Sequence, residues 1–148
     1  GISSYGELES KLTAVSARRD TAHAEIKRIE SRSAELALVM KHAGTYRQLK
    51  PLYERYRKSN DKEKFLRGDE SEIILFEAAA RELKRLGTVP LPTTESMKTE
   101  LANLNAEKER LLAEYKAART EAQEYDTVKQ NVDALLNRSK GTGTTASA

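Results

Sequence analysis

Apolar residues recur at alternating spacings of four and three along two long stretches of the chain. In the first, from about 4 to 42, the positions are Leu8, Leu12, Val15, Arg19, Ala22, Ile26, Ile29, Ser33, Leu36 and Met40, eight of ten apolar. In the second, from about 94 to 137, they are Met97, Leu101, Leu104, Lys108, Leu111, Tyr115, Ala118, Ala122, Tyr125, Lys129, Val132 and Leu136, ten of twelve apolar. This spacing is a heptad seam, the mark of a helix that packs along one edge. Ser4, with Glu7 three residues on, reads as the N-cap of the first helix, and Ala43-Gly44 as its stop. Pro90, Pro92 and a cap at Thr93 or Thr94 begin the second, and Gly141 ends it.

The middle of the chain has a different pattern. Tyr46, Leu49, Leu52, Tyr53 and Tyr56 fall at helical spacing around Pro51, which predicts a helix at about 45–59 that kinks or starts near Lys50. Ser59-Asn60-Asp61 reads as a turn and a fresh cap, followed by a short helical stretch to Arg67 that Gly68 stops. A stronger helix is expected over 69–86, with Asp69 as N-cap, Lys84 and Arg85 at its negative end and Gly87 just beyond it. Its apolar set, Ile73, Ile74, Phe76, Ala79, Ala80, Leu83 and Leu86, is broader than a seam and suits a small core.

The expected fold is therefore all-α: a long antiparallel two-helix coiled-coil stalk with a small helical head between its two long helices. The expected boundaries are 1–44 for the first stalk helix, 45–92 for the head, 93–138 for the second stalk helix and 139–148 for a disordered tail. Matching the seams end to end places Met40 near Leu104, Ile29 near Tyr115 and Leu8 near Leu136. Composition agrees. A third of the residues are charged (33%), 5% are aromatic, and there are 7 Gly and 3 Pro, a balance that suits narrow buried stripes on long helices. Cysteine is absent, which excludes disulfides and thiolate metal sites. No apolar run reaches the ~20 residues of a membrane span, and the N-terminus lacks a signal peptide's apolar core. The expected location is bacterial cytoplasm, and the expected context is a fragment of a larger protein.

Catalytic patterns do not emerge. His23 and His42 lie far apart with no third ligand at metal spacing. There is no glycine-rich phosphate loop and no nucleophile elbow. The carboxylates alternate with Lys and Arg as surface pairs do. The expectation is a non-enzymatic chain without metal or cofactor.

Charge is uneven. Between Lys41 and Arg67 nine basic residues stand against Glu54, Asp61 and Glu63, a net +6, whereas the whole chain carries +3. Tyr46, Tyr53, Tyr56 and Phe65 interleave with them. Basic side chains neutralise phosphates and aromatic faces stack on unpaired bases, so Arg47, Lys50, Arg55, Arg57, Lys58, Lys62 and Lys64 are the candidate nucleic-acid contacts. The same tyrosines share a helical face, and such a face more often packs the core of a head than stacks on bases.

An ordered series of segments resembles one family. It comprises 45–65 (TYRQLKPLYERYRKSNDKEKF), Glu72-Ile73-Ile74-Leu75-Phe76-Glu77-Ala78-Ala79, Leu91-Pro92, Leu111-Leu112-Ala113-Glu114-Tyr115-Lys116 and 128–136 (VKQNVDALL). Together they resemble the C-terminal helical region of relaxase/mobilization nucleases carried by plasmids and integrative elements of Firmicutes. The resemblance spans about 34–136. It implies a parent protein that nicks DNA at a transfer origin through a catalytic tyrosine and a metal-binding histidine cluster. Neither group has a counterpart here, so no catalytic residue carries over.

Two functions follow as expectations. One is a non-catalytic accessory or assembly region of a relaxase during conjugative transfer, with DNA, relaxosome proteins or secretion-channel proteins as partners. The other is a structural spacer or dimerization module without DNA binding. Surplus apolar residues at Leu38, Val39, Leu112 and Leu135 allow a monomer or a weak homodimer.

Overall fold

The structure is a computed structural model that describes residues 2–88 and 90–147, with side chains at 4–88 and 90–139. It is all-helical, with α1 (Ile2–Lys58), α2 (Lys62–Arg85) and α3 (Thr94–Ser147) and no strand among the described residues. No helix among them is long and apolar enough to cross a membrane. α3 runs to Ser147, past Gly141, where the helix was expected to end, and along the expected tail.

Local chemistry sets the helix ends. Asp61 caps α2, its Oδ1 accepting from the Lys64 amide at 3.0 Å, while Ser59 Oγ accepts from the Asp61 amide at 3.2 Å. Just after Gly68, Asp69 leaves the helical region (φ −130°, ψ 24°), so the short stretch and the stronger helix read from the sequence are two arms of one kinked element. Gly87, at φ +70°, closes α2. The Thr88 amide bonds the Leu83 carbonyl at 3.2 Å and the Gly87 amide bonds the Lys84 carbonyl at 3.1 Å, the Schellman arrangement that satisfies the last carbonyls of a helix. Thr93 caps α3, with its Oγ1 accepting from the Ser96 amide at 3.1 Å.

Two sequence expectations change. Ser4 lies inside α1 rather than at its cap. The break at Ala43-Gly44 is absent, and the expected head helix at 45–59 is the end of α1, running through Pro51 to Lys58. Glycine inside a helix costs about 1 kcal/mol. Ala43, 1% exposed, packs in one cluster with Leu83 and Met97, and burial on this scale outweighs that cost.

The chain divides into two compact units, Gly1–Ile29 with Ala106–Ala148, and Glu30–Asn105. In the first, Val15, Ala118 and Ala122 form a buried cluster flanked by Leu12 and Tyr125. Tyr5 donates to Asp133 at 2.7 Å, Lys129 lies 3.9 Å from Glu9, Arg18 lies 3.7 Å from Glu121, and the rings of His23 and Tyr115 are 5.7 Å apart. Tyr115 thus meets His23, about two helical turns from the expected Ile29. Heptad seams are self-similar, so a slip of one repeat still pairs apolar with apolar. The flanking polar contacts belong to one register only, as e and g charges do in coiled coils.

The second unit draws on all three helices. Leu36, Val39, Ala43, Leu83 and Met97 are buried together, with Met40, Tyr46, Leu86, Leu91, Leu101 and Leu104 packed around them. Val39, read as surplus from the sequence, is therefore core. Arg32 bonds Glu100 at 2.8 Å, which raises the Arg32 pKa.

Candidate nucleic-acid interface

The basic segment lies in the second unit, on the last turns of α1 and the first of α2. Its aromatic side chains pack against one another. Phe76 of α2 stacks on Tyr46 (centroids 4.8 Å apart) and on Tyr53 (4.3 Å), Tyr53 lies 5.9 Å from Tyr56, and Tyr56 lies 5.8 Å from Phe65. Tyr46 and Tyr53 are i and i+7 on α1, so both reach the same side of the helix, and Phe76, 6% exposed, fills the space between them. Phe76, read from the sequence as part of a small core, is buried. Tyr46, Tyr53, Tyr56 and Phe65 stay half-buried.

The seven candidate cations divide into two groups. Arg47 is committed to the fold: its guanidinium donates to Thr94 Oγ1 at 2.7 Å and to the Pro92 carbonyl, tying α1 to the lead-in of α3. Lys50 lies with Nζ 5.8 Å from the centre of the Tyr46 ring, a cation–π geometry. Arg55, Arg57, Lys58, Lys62 and Lys64 are exposed, and none makes an ion pair among the described residues. They follow each other along α1 and across the Ser59–Asp61 turn, with Glu54, Asp61 and Glu63 interspersed among them in sequence. An exposed cation without an internal partner keeps its whole charge for a polyanion.

A cleft of about 550 Å³ opens beside this patch, lined by Tyr46, Lys50, Tyr53, Glu54 and Arg57 of α1 and by Phe76, Glu77, Ala80 and Arg81 of α2. The α2 side was missed in the sequence, where the basic segment was closed at Arg67. The signal was present: Glu77 and Arg81 are i+1 and i+5 from Phe76, on the flank of the helix's apolar face.

Elsewhere, among the described residues no group of three His, Cys, Asp or Glu side chains is placed to hold a metal ion. Glu82, bonded by Arg85 at 2.7 Å, is held below the usual carboxylate range. No protein-family model matches the chain, and no curated protein or solved structure matches it.

Proposed function

We propose that this chain is a non-catalytic helical module that grips a nucleic-acid backbone through the basic surface of its second unit, as an accessory region of a DNA-mobilization relaxase would within a relaxosome. In this reading the first unit is an antiparallel coiled-coil stalk and the second its helical head. The observation that carries the proposal is the run of five exposed cations, Arg55, Arg57, Lys58, Lys62 and Lys64, that make no ion pair among the described residues. The relaxase context comes from the sequence resemblance alone.

Binding of this kind is sequence-independent and steeply salt-dependent, because each neutralised phosphate releases counterions. Fluorescence anisotropy of labelled DNA at several salt concentrations tests it. The expected result is a negative slope of log affinity against log salt, made shallower by about two when Arg55→Glu and Lys58→Glu are combined. Unchanged affinity of that double variant at low salt overturns the proposal.

A second reading, a dimerization module without DNA contact, is favoured by a separate observation. Leu112, Val128, Leu135 and Leu136 of α3 are 44–61% exposed. A concentration-dependent dimer in sedimentation, with no DNA binding at low salt, would select it.

A further inference from the structure

The cleft between the end of α1 and the middle of α2 has a chemistry that backbone contact does not use. Its floor is aromatic, built by Phe76 and the half-buried Tyr46 and Tyr53. Three cations reach its rim from two helices, Lys50 and Arg57 from α1 and Arg81 from α2, and none of them makes an ion pair among the described residues. Two carboxylates, Glu54 and Glu77, line it as well. At about 550 Å³ it falls in the range of small-molecule sites.

The geometry points to a site for one unpaired nucleotide, an aromatic base together with its phosphate, either free or as one residue of a single strand. The strand form rests on the backbone contact proposed above, and the free form stands without it. Each part of a nucleotide finds a matching group. The base is flat and apolar on its faces and suits the tyrosine-lined floor. The phosphate is an anion and suits the guanidinium groups, which can bond it bidentately. Exocyclic amino groups of cytosine or adenine are donors, and Glu54 and Glu77 offer acceptors. A paired base is stacked and edge-bonded inside its duplex, so a duplex cannot present it to the cleft. The two carboxylates disfavour an acidic peptide, which would bring more negative charge without a donor for them.

The test is an amide NMR titration of the whole chain with AMP and with CMP, alongside anisotropy with a single strand and a duplex of equal length at matched salt. The expected result is a set of shifts confined to 46–57 and 76–81, and single-strand binding about tenfold tighter than duplex binding. Arg81→Glu, outside the basic segment, should abolish the mononucleotide shifts and the single-strand preference while leaving duplex binding in place. Lys50→Gln should weaken the mononucleotide shifts in the same direction, which guards against misfolding of the first variant. Cleft resonances unmoved by millimolar AMP and CMP, or shifts spread evenly over exposed lysines and arginines, overturn the site. Absence of all DNA binding with the mononucleotide shifts intact supports the site and overturns the backbone contact instead.

Discussion

Phe76 joins the aromatic face of α1 to α2, with stacking contacts to two tyrosines one heptad apart. Removing a buried ring loses its transfer energy and leaves a cavity, so Phe76→Ala should cost about 3–5 kcal/mol in chemical denaturation. A loss below about 1 kcal/mol would mean that these rings collapse onto each other without it. The sequence showed that Tyr46, Tyr53 and Tyr56 share a face, because helical spacing fixes faces. It did not show which ring would fill the gap, because spacing names no partner on another helix. Tyr5 supplies a smaller and separable effect. Its hydrogen bond to the Asp133 carboxylate pushes its pKa up to about 12 from an ordinary value of 10.0. The folded state therefore favours the neutral phenol, and the bond's contribution is fully present below about pH 10 and is lost as pH rises through about 12. In thermal melts across this window, Tyr5→Phe should remove that part of the alkaline decline while changing little at neutral pH, where a single hydrogen bond near the surface contributes modestly. Parallel declines of the two proteins would deny the bond any role.

At the scale of the helix, the heptad pattern was informative where burial followed it. Val15, Ala22, Ile26, Ile29 and Leu36, all read as seam, are buried in α1, and Met97, Leu111, Ala118 and Ala122 are buried in α3. Stop signals were less reliable inside α1. Gly44 is exposed and has open space where a side chain would stand, so it neither needs nor imposes a turn. Pro51 removes the amide that would bond the Arg47 carbonyl, yet α1 continues to Lys58. Packing of Tyr46 and Tyr53 on Phe76, one on each side of that position, holds the helix together across it. Boundary signals backed by a specific bond did hold, the starts at Asp61 and Thr93 and the stop at Gly87. The seam assignment gives a direct test. Ile26 is 6% exposed, and Ile26→Asp forces a carboxylate into an apolar contact, so it should cost about 3 kcal/mol or more. Ala24→Asp, on the exposed side of the same turn, should stay within about 0.5 kcal/mol of the parent. Equal melting curves for the two variants would mean that the seam has been assigned to the wrong face.

Pairing is the property of the whole chain that no single helix decides. Composition and periodicity made an all-helical chain legible, and the charge count located the basic segment without any contact information. The register was not legible, because matching two seams end to end optimises apolar overlap, and a self-similar seam offers nearly equal overlap one repeat away. The polar contacts that select among these alternatives, Tyr5 with Asp133, Glu9 with Lys129 and Arg18 with Glu121, involve surface residues that a hydrophobic pattern ignores. Individually such contacts near the surface are worth little, on the order of 0–1 kcal/mol. They need only outweigh the small difference between registers. The two alignments make different neighbours. In the structure Val15 shares a buried cluster with Ala122, whereas the end-to-end alignment would set Val15 opposite Lys129. The chain has no native cysteine, so an introduced pair reports on its own positions alone. Val15→Cys with Ala122→Cys should cross-link within one chain under mild oxidation, since a disulfide needs Cα atoms within about 7 Å. Val15→Cys with Lys129→Cys should remain reduced. Non-reducing electrophoresis and intact mass distinguish the two, and cross-linking of the second pair alone would restore the end-to-end alignment and remove the polar contacts as the source of register.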